Sequence, residues 1–300
     1  MHTKTGSLGA KPPFDFDKSL RFIDRFKPMN GEQDASARTP IKALMVEGQT
    51  VAVRLGGERD GKVGVYYELF SDRQLSEGLA KKVAERVSFF LSLQDDLAPF
   101  YAIAARDPSF YPTAKKLVGF HHVKFPSLFE ITCWAILAQR SQMSVAKRAK
   151  DALTERFGGS IELEGNVYRA FPDYETMKHA RVAQILAATK NRRNAERLSN
   201  LLSTFADIDE EFLLTAPYEK AEERLKRIKG IGDWSAQFIL FRGLGRIEKL
   251  RYNMGPVEKM MKELYGPEMT LEEINMAYGE WCGYWSSYLW ASGIVSPHED

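Results

Sequence analysis

The chain has 300 residues, 44% hydrophobic and 27% charged, enough to bury a sizeable core in one large or two modest domains. Its formal net charge is only +2, so any nucleic-acid surface must come from local clustering of Lys and Arg. Two cysteines, Cys133 and Cys282, argue against a disulfide framework and fit a reducing cytoplasm, while the absence of an 18-residue apolar run or an apolar leader argues against a membrane span.

In chain order, residues 1–11 read as a flexible tail. Pro12-Pro13-Phe-Asp-Phe-Asp leads into a short helical pattern carried by Leu20, Phe22, Ile23 and Phe26. Three strand-like runs follow, at 41–47, 50–55 and 62–70; Val63, Val65, Tyr67 and Leu69 alternate as a half-buried strand requires, and Asp60-Gly61 reads as a hairpin turn. Apolar residues return at helical spacing over 76–93. Residues 12–112 therefore read as an α+β domain built on an antiparallel sheet with helices. Residues 113–300 read as helical throughout.

In that second part, 128–139 is an apolar helix, 144–157 is amphipathic and stops at Gly158-Gly159, and 191–205 is basic on one side through Arg192, Arg193 and Arg197. Thr270-Leu-Glu-Glu273 is a capping box, and residues 281–290 are rich in aromatics. The most informative stretch runs Leu225-Lys-Arg-Ile-Lys-Gly-Ile-Gly-Asp-Trp-Ser-Ala-Gln-Phe. One helix stops at Gly230-Ile231-Gly232 and another opens at once, with Ile231 placed to anchor the turn and Asp233 expected as the N-cap. Lys226, Arg227 and Lys229 put positive charge beside a helix start, where N–H groups suit a phosphate.

Lys-Gly-Ile-Gly-Asp-Trp-Ser-Ala resembles the hairpin signature of the helix–hairpin–helix DNA glycosylases, and the similarity extends over most of the chain toward bacterial 3-methyladenine DNA glycosylase II. The resemblance implies an N-terminal α+β domain in front of a mostly helical helix–hairpin–helix glycosylase core. It implies a partner, double-stranded DNA holding alkylated or damaged bases, a monomer, and a cytoplasmic, nucleoid-associated setting. No organic cofactor and no metal site are implied, although hairpins of this kind can hold a monovalent cation on their carbonyls. Two cysteines exclude the four-cysteine iron–sulfur cluster of relatives similar to endonuclease III.

Residue by residue, the resemblance implies DNA contacts from Gln139, Arg140, Lys229, Gly230, Ile231, Gly232 and Ser235. Gln139-Arg140 looks like the loop whose side chain enters the duplex, except that similar proteins have an apolar residue where Arg140 stands, and a basic residue is common where Asp233 stands. Phe22, Trp234, Phe238 and Trp285 match positions that line the base pocket. Ring faces suit a purine made cationic by methylation, by roughly 0.5–2 kcal/mol. Relatives that also cut the strand carry a lysine at the position of Trp234, so the resemblance implies a monofunctional enzyme.

The family's catalytic aspartate falls at Met254, next to Asn253 and three residues before Val257, and no aspartate occurs between residues 243 and 262. Three readings stay open at this level. Glu258, one turn on, substitutes; or an already cationic base needs no acid to leave; or the protein binds damaged DNA without cutting it.

Overall fold

The computed structural model describes residues 1–29, 31–32, 39–57, 61–250 and 255–295. Its N-terminal part is a four-stranded antiparallel sheet in the order β1-β4-β3-β2, formed by β1 (His2–Gly9), β2 (Ile41–Val46), β3 (Gln49–Gly56) and β4 (Gly64–Ser71). The residues expected as a flexible tail are therefore an edge strand, paired from His2↔Ser71 to Gly9↔Gly64. Alternating Thr, Gly and Ser residues hid that strand from an apolar count. The glycine at position 6 makes room for the Tyr67 ring, since a Cβ there would stand 2.4 Å from the Tyr67 hydroxyl and force that side chain to shift. Asp60 of the expected hairpin turn lies outside the described residues.

β2 and β3 are covered on both faces. Leu44, Val46, Val51 and Val53 point into the main core with α1 (Phe16–Arg25) and α2 (Glu77–Phe90). Ile41, Ala43, Met45 and Ala52 point the other way, into a smaller cluster completed by Ile161, Leu163 and Ala170. Those three belong to β5 (Gly159–Leu163) and β6 (Asn166–Ala170), an antiparallel hairpin inside the part expected to be helical throughout. Gly158 caps the preceding helix as expected, in an extended conformation that leads straight into this hairpin; a Cβ there would fall 2.1 Å from the Ala170 carbonyl oxygen, and one on Gly159 1.8 Å from Thr50 Oγ1. Close approach of the β6 backbone to Gly158 and of the Thr50 side chain to Gly159, not a helix stop alone, explains the paired glycines.

The helices are α3 (Ala98–Ala104), α4 (Tyr111–Lys116), α5 (Leu128–Leu137), α6 (Met143–Phe157), α7 (Tyr174–Met177), α8 (Val182–Thr189), α9 (Arg192–Thr204), α10 (Glu210–Thr215), α11 (Tyr218–Lys226), α12 (Asp233–Phe238), α13 (Gly255–Tyr265), α14 (Leu271–Tyr278) and α15 (Cys282–Val295). α5 is buried along its whole length, as its mostly apolar sequence requires, with Glu130 paired to Lys150 and Thr132 bonded to the Leu128 carbonyl, and Ser127 caps its start. The Thr270 capping box forms as expected at the start of α14. Among the described residues no helix is long and apolar enough to cross a membrane.

One ionic cluster joins the sheet to the helices. Lys150 of α6 is fully buried; its Nζ lies 2.7 Å from Glu130 Oε1 of α5, donates to the Pro28 carbonyl at 3.1 Å and pairs with Glu32. Lys42 of β2 also holds Glu32, at 2.9 Å. Burial alone would raise the pKa of Glu32, but the two ammonium groups outweigh it and bring it down to about 2.

Candidate nucleic-acid interface

The hairpin forms where the sequence puts it. α11 runs out at Lys226, Ile231 N–H donates to the Ile228 carbonyl at 2.9 Å, and Gly230 takes φ +102°, a left-handed value that favours glycine. Ile231 is buried and anchors the turn; Lys229 and Gly232 are exposed. The N-cap of α12 is Gly232, not Asp233. Asp233 is the first helical residue and reaches back to Lys226 at 2.6 Å, so its carboxylate is partly neutralised and turned toward α11. α12 then widens into a π-helical turn over 239–243.

Beneath the hairpin lies the end of α5. Gln139 Nε2 donates to the Gly230 carbonyl at 2.6 Å and to Ser235 Oγ at 2.8 Å, while its Oε1 accepts from Arg197 Nη1 of α9. Ser235 is only 1% exposed, so it braces the turn from inside and does not present itself to a duplex. Ile231 likewise serves as anchor. Arg140, the next residue, is exposed and sits at φ +51°. The pair expected to enter DNA is thus divided: Gln139 holds the hairpin, and Arg140 stands exposed in the loop between α5 and α6.

The expected pocket residues stand along one connected set of aromatic rings. Trp234 is 37% exposed beside the hairpin and stacks on Phe238, centroids 5.3 Å apart at 15°. Phe238 meets Phe125 at 6.1 Å, Phe125 meets Phe26 at 6.2 Å, and Phe26 stacks on Phe22 at 5.2 Å. Three of the four residues therefore line one string of rings running from surface to core. Trp285 is joined to the inner end of that string through Phe120, Tyr288, Phe100 and Phe110, and stands against Phe110 at 6.0 Å and Tyr278 at 6.2 Å. Its Nε1 donates to Tyr265 Oη at 3.1 Å, and Tyr265 and Tyr278 both donate to Asp107. Burial, then the Asp107 carboxylate, holds both phenols protonated, well above their usual range.

Sequence reading passed over Phe125 and Arg242. The Phe-Pro step before α5 was the available sign for the first. Arg242, one turn beyond Phe238, is buried, donates to the Val123 carbonyl at 3.1 Å and lies 5.0 Å from the Phe22 ring centroid. It closes the inner end of the string.

Asn253 and Met254, the expected catalytic position, lie outside the described residues. Glu258 is half-buried in the first turn of α13, on a shallow recess shared with Lys259, Lys262 and Glu263. No group of three or more His, Cys, Asp or Glu side chains suited to a metal ion occurs among the described residues.

A glycine-cornered hairpin between α11 and α12, braced by the end of α5 and preceded by an antiparallel sheet, defines the fold of the helix–hairpin–helix DNA glycosylases. The particular likenesses agree. The structure of 3-methyladenine DNA-glycosylase from Archaeoglobus fulgidus matches with a TM-score of 0.71 and 22% identity, covering 95% of this chain and 96% of that one. Clostridium acetobutylicum 8-oxoguanine glycosylase/lyase, solved with double-stranded DNA containing cytosine opposite 8-oxoguanine, matches with a TM-score of 0.66 and 17% identity over 96% of both chains. In sequence, DNA-3-methyladenine glycosylase of Bacillus subtilis (strain 168) is 27% identical over 235 residues, 74% of this chain and 76% of the relative. No family model matches the chain.

Proposed function

We propose that the protein is a monofunctional DNA glycosylase that binds duplex DNA, turns a damaged nucleotide out of the stack and hydrolyses the N-glycosidic bond of alkylated purines. The observation that carries this reading is the exposed Trp234, stacked on the buried Phe238 directly beside the braced hairpin. Similarity to DNA-3-methyladenine glycosylase supports the substrate class.

The chemistry follows from the groups at hand. Gly230 and Gly232 let backbone approach a phosphate, and Arg140 fills the gap left by the extruded nucleotide. The extruded base stacks on Trp234, where a methylated, cationic purine gains most. When its glycosidic bond breaks, the bonding electron pair returns to the ring and cancels its charge, the positive charge passes to the sugar, and water adds at the sugar carbon and gives up a proton to solvent. A leaving group so activated tolerates the loss of one preorganised carboxylate, typically about 3–4 kcal/mol. Glu258, beside Lys259 and Lys262, serves the surface of α13 in this reading. Trp234 has no amine with which to form a Schiff base, so the strand stays intact. The enzyme works as a monomer in the cytoplasm, draws on no organic cofactor, and keeps Cys133 and Cys282 reduced and buried.

The test is release of 7-methylguanine and 3-methyladenine from methylated duplex DNA, measured by chromatography. The wild type should release both. Glu258→Gln should leave the rate within about threefold, and Met254→Asp should raise it or extend release to hypoxanthine. Retention of damaged DNA with no release would reject the enzymatic reading.

A further inference from the structure

α9 carries a basic face that the hairpin site does not use. Arg192 and Arg193 occupy its first turn, where the positive end of the helix dipole disfavours cations. One turn on, Arg197 lays its stem across the hairpin: a Cβ on Gly230 would stand 3.0 Å from Arg197 Cγ. The guanidinium's hydrogen bond goes to Gln139, a neutral amide. Burial, then repulsion from Arg193 and Arg140, lowers its pKa. Between α9 and the hairpin opens a recess of about 510 Å³, whose lining includes Arg193, Arg197, Lys229, Ser199, Asn200 and the carboxylate Glu196. Glu196 is itself drawn toward Arg192, 3.6 Å away on the exposed side of the helix.

Three cations, against the one carboxylate of Glu196, and two neutral hydrogen-bonding side chains thus line a solvent-open recess of a size to admit a phosphate. We propose that this recess binds a backbone phosphodiester of duplex DNA, separate from the phosphate held by the hairpin loop. Occupied, it ties α9 to the hairpin through the same Arg197 that fixes Gln139, so DNA binding stiffens the loop carrying Arg140. The inference rests on the DNA-binding reading above.

Fluorescence anisotropy of a labelled, undamaged duplex across a KCl series tests it. Neutralising one phosphate contributes a slope of about 0.9 in log K against log salt. The double variant Arg193→Ala/Arg197→Met, which keeps the alkyl stem over Gly230, should lose about that much slope and about tenfold in affinity. Lys81→Ala on α2 should change neither. A duplex with a neutral methylphosphonate at the contacted position should weaken the wild type but not the double variant, and a scan of both strands identifies which one is held. Arg193→Ala alone, at an exposed position, carries the test should the Arg197 change disturb folding. An unchanged slope in folded variants overturns the second phosphate site alone. Salt-independent or absent binding by the wild type overturns the DNA reading with it.

Discussion

Gln139 shows how far a residue's chemistry depends on partners that sequence order does not reveal. Resemblance marks it as a side chain that enters the duplex, yet both ends of its amide are engaged by Gly230, Ser235 and Arg197. Those partners lie 58 to 96 residues away, out of reach of any local pattern. The two adjacent residues should therefore fail differently. Gln139→Ala should cost about 1–3 kcal/mol in urea unfolding, because it leaves buried hydrogen-bonding groups unmet. Arg140→Ala should stay within about 0.5 kcal/mol of wild type in stability but lose the fluorescence gain of 2-aminopurine placed opposite the flipped nucleotide. The reverse ranking would return the insertion role to Gln139. Trp234 was legible because its place after the hairpin and its ring type agree; Trp285 was legible only as an aromatic, and its indole N–H is committed to Tyr265.

At the scale of elements, the hairpin was the clearest feature of the sequence, since two glycines around one isoleucine leave few other conformations. The two glycines are not equivalent. Gly230 needs its left-handed φ and has Arg197 against it, so Gly230→Ala should destabilise by about 1–3 kcal/mol in denaturant titration. Gly232 has an ordinary φ of −102° and nothing within 4 Å of a built Cβ. Gly232→Ala should leave stability within about 0.5 kcal/mol while weakening duplex binding, because the added methyl stands where a phosphate would approach. Equal stability losses at the two positions would contradict this geometry. β5 and β6 went unread although Glu164-Gly165 sits between alternating residues: both turn residues take positive φ, 54° and 79°. Five-residue strands between long helices carry too little periodicity to compete, and what holds them is contact with Ile41, Ala43 and Met45, far off in sequence.

Across the whole molecule, sheet and helical core are less separate than composition suggests. A single apolar cluster runs through both, from Val53 and Leu69 to Trp134 and Tyr288, and the Glu32–Lys42–Lys150–Glu130 group crosses the same boundary. A carboxylate held near pKa 2 in the fold and near 4.5 outside it gives stability that is complete above about pH 4.5 and drains away as pH falls toward 2. The urea midpoint of the wild type should fall over that window, and Glu32→Gln should start lower and lose less of it. A parallel decline in both would show that Glu32 is not the group responsible. Lys150→Met, by stranding the Glu130 carboxylate and leaving Glu32 chiefly to Lys42, should cost about 3–5 kcal/mol. None of this cluster was legible beforehand, since single charges along a chain give no sign of which will be buried together.

The most direct measurement uses a duplex with one 7-methylguanine, incubated with excess protein in a single turnover and resolved on a denaturing gel with and without alkali. The account predicts free base together with a strand that breaks only after alkali, faster than the spontaneous loss from the same duplex. A stable complex from which no base departs, or a strand already broken before alkali, would contradict it.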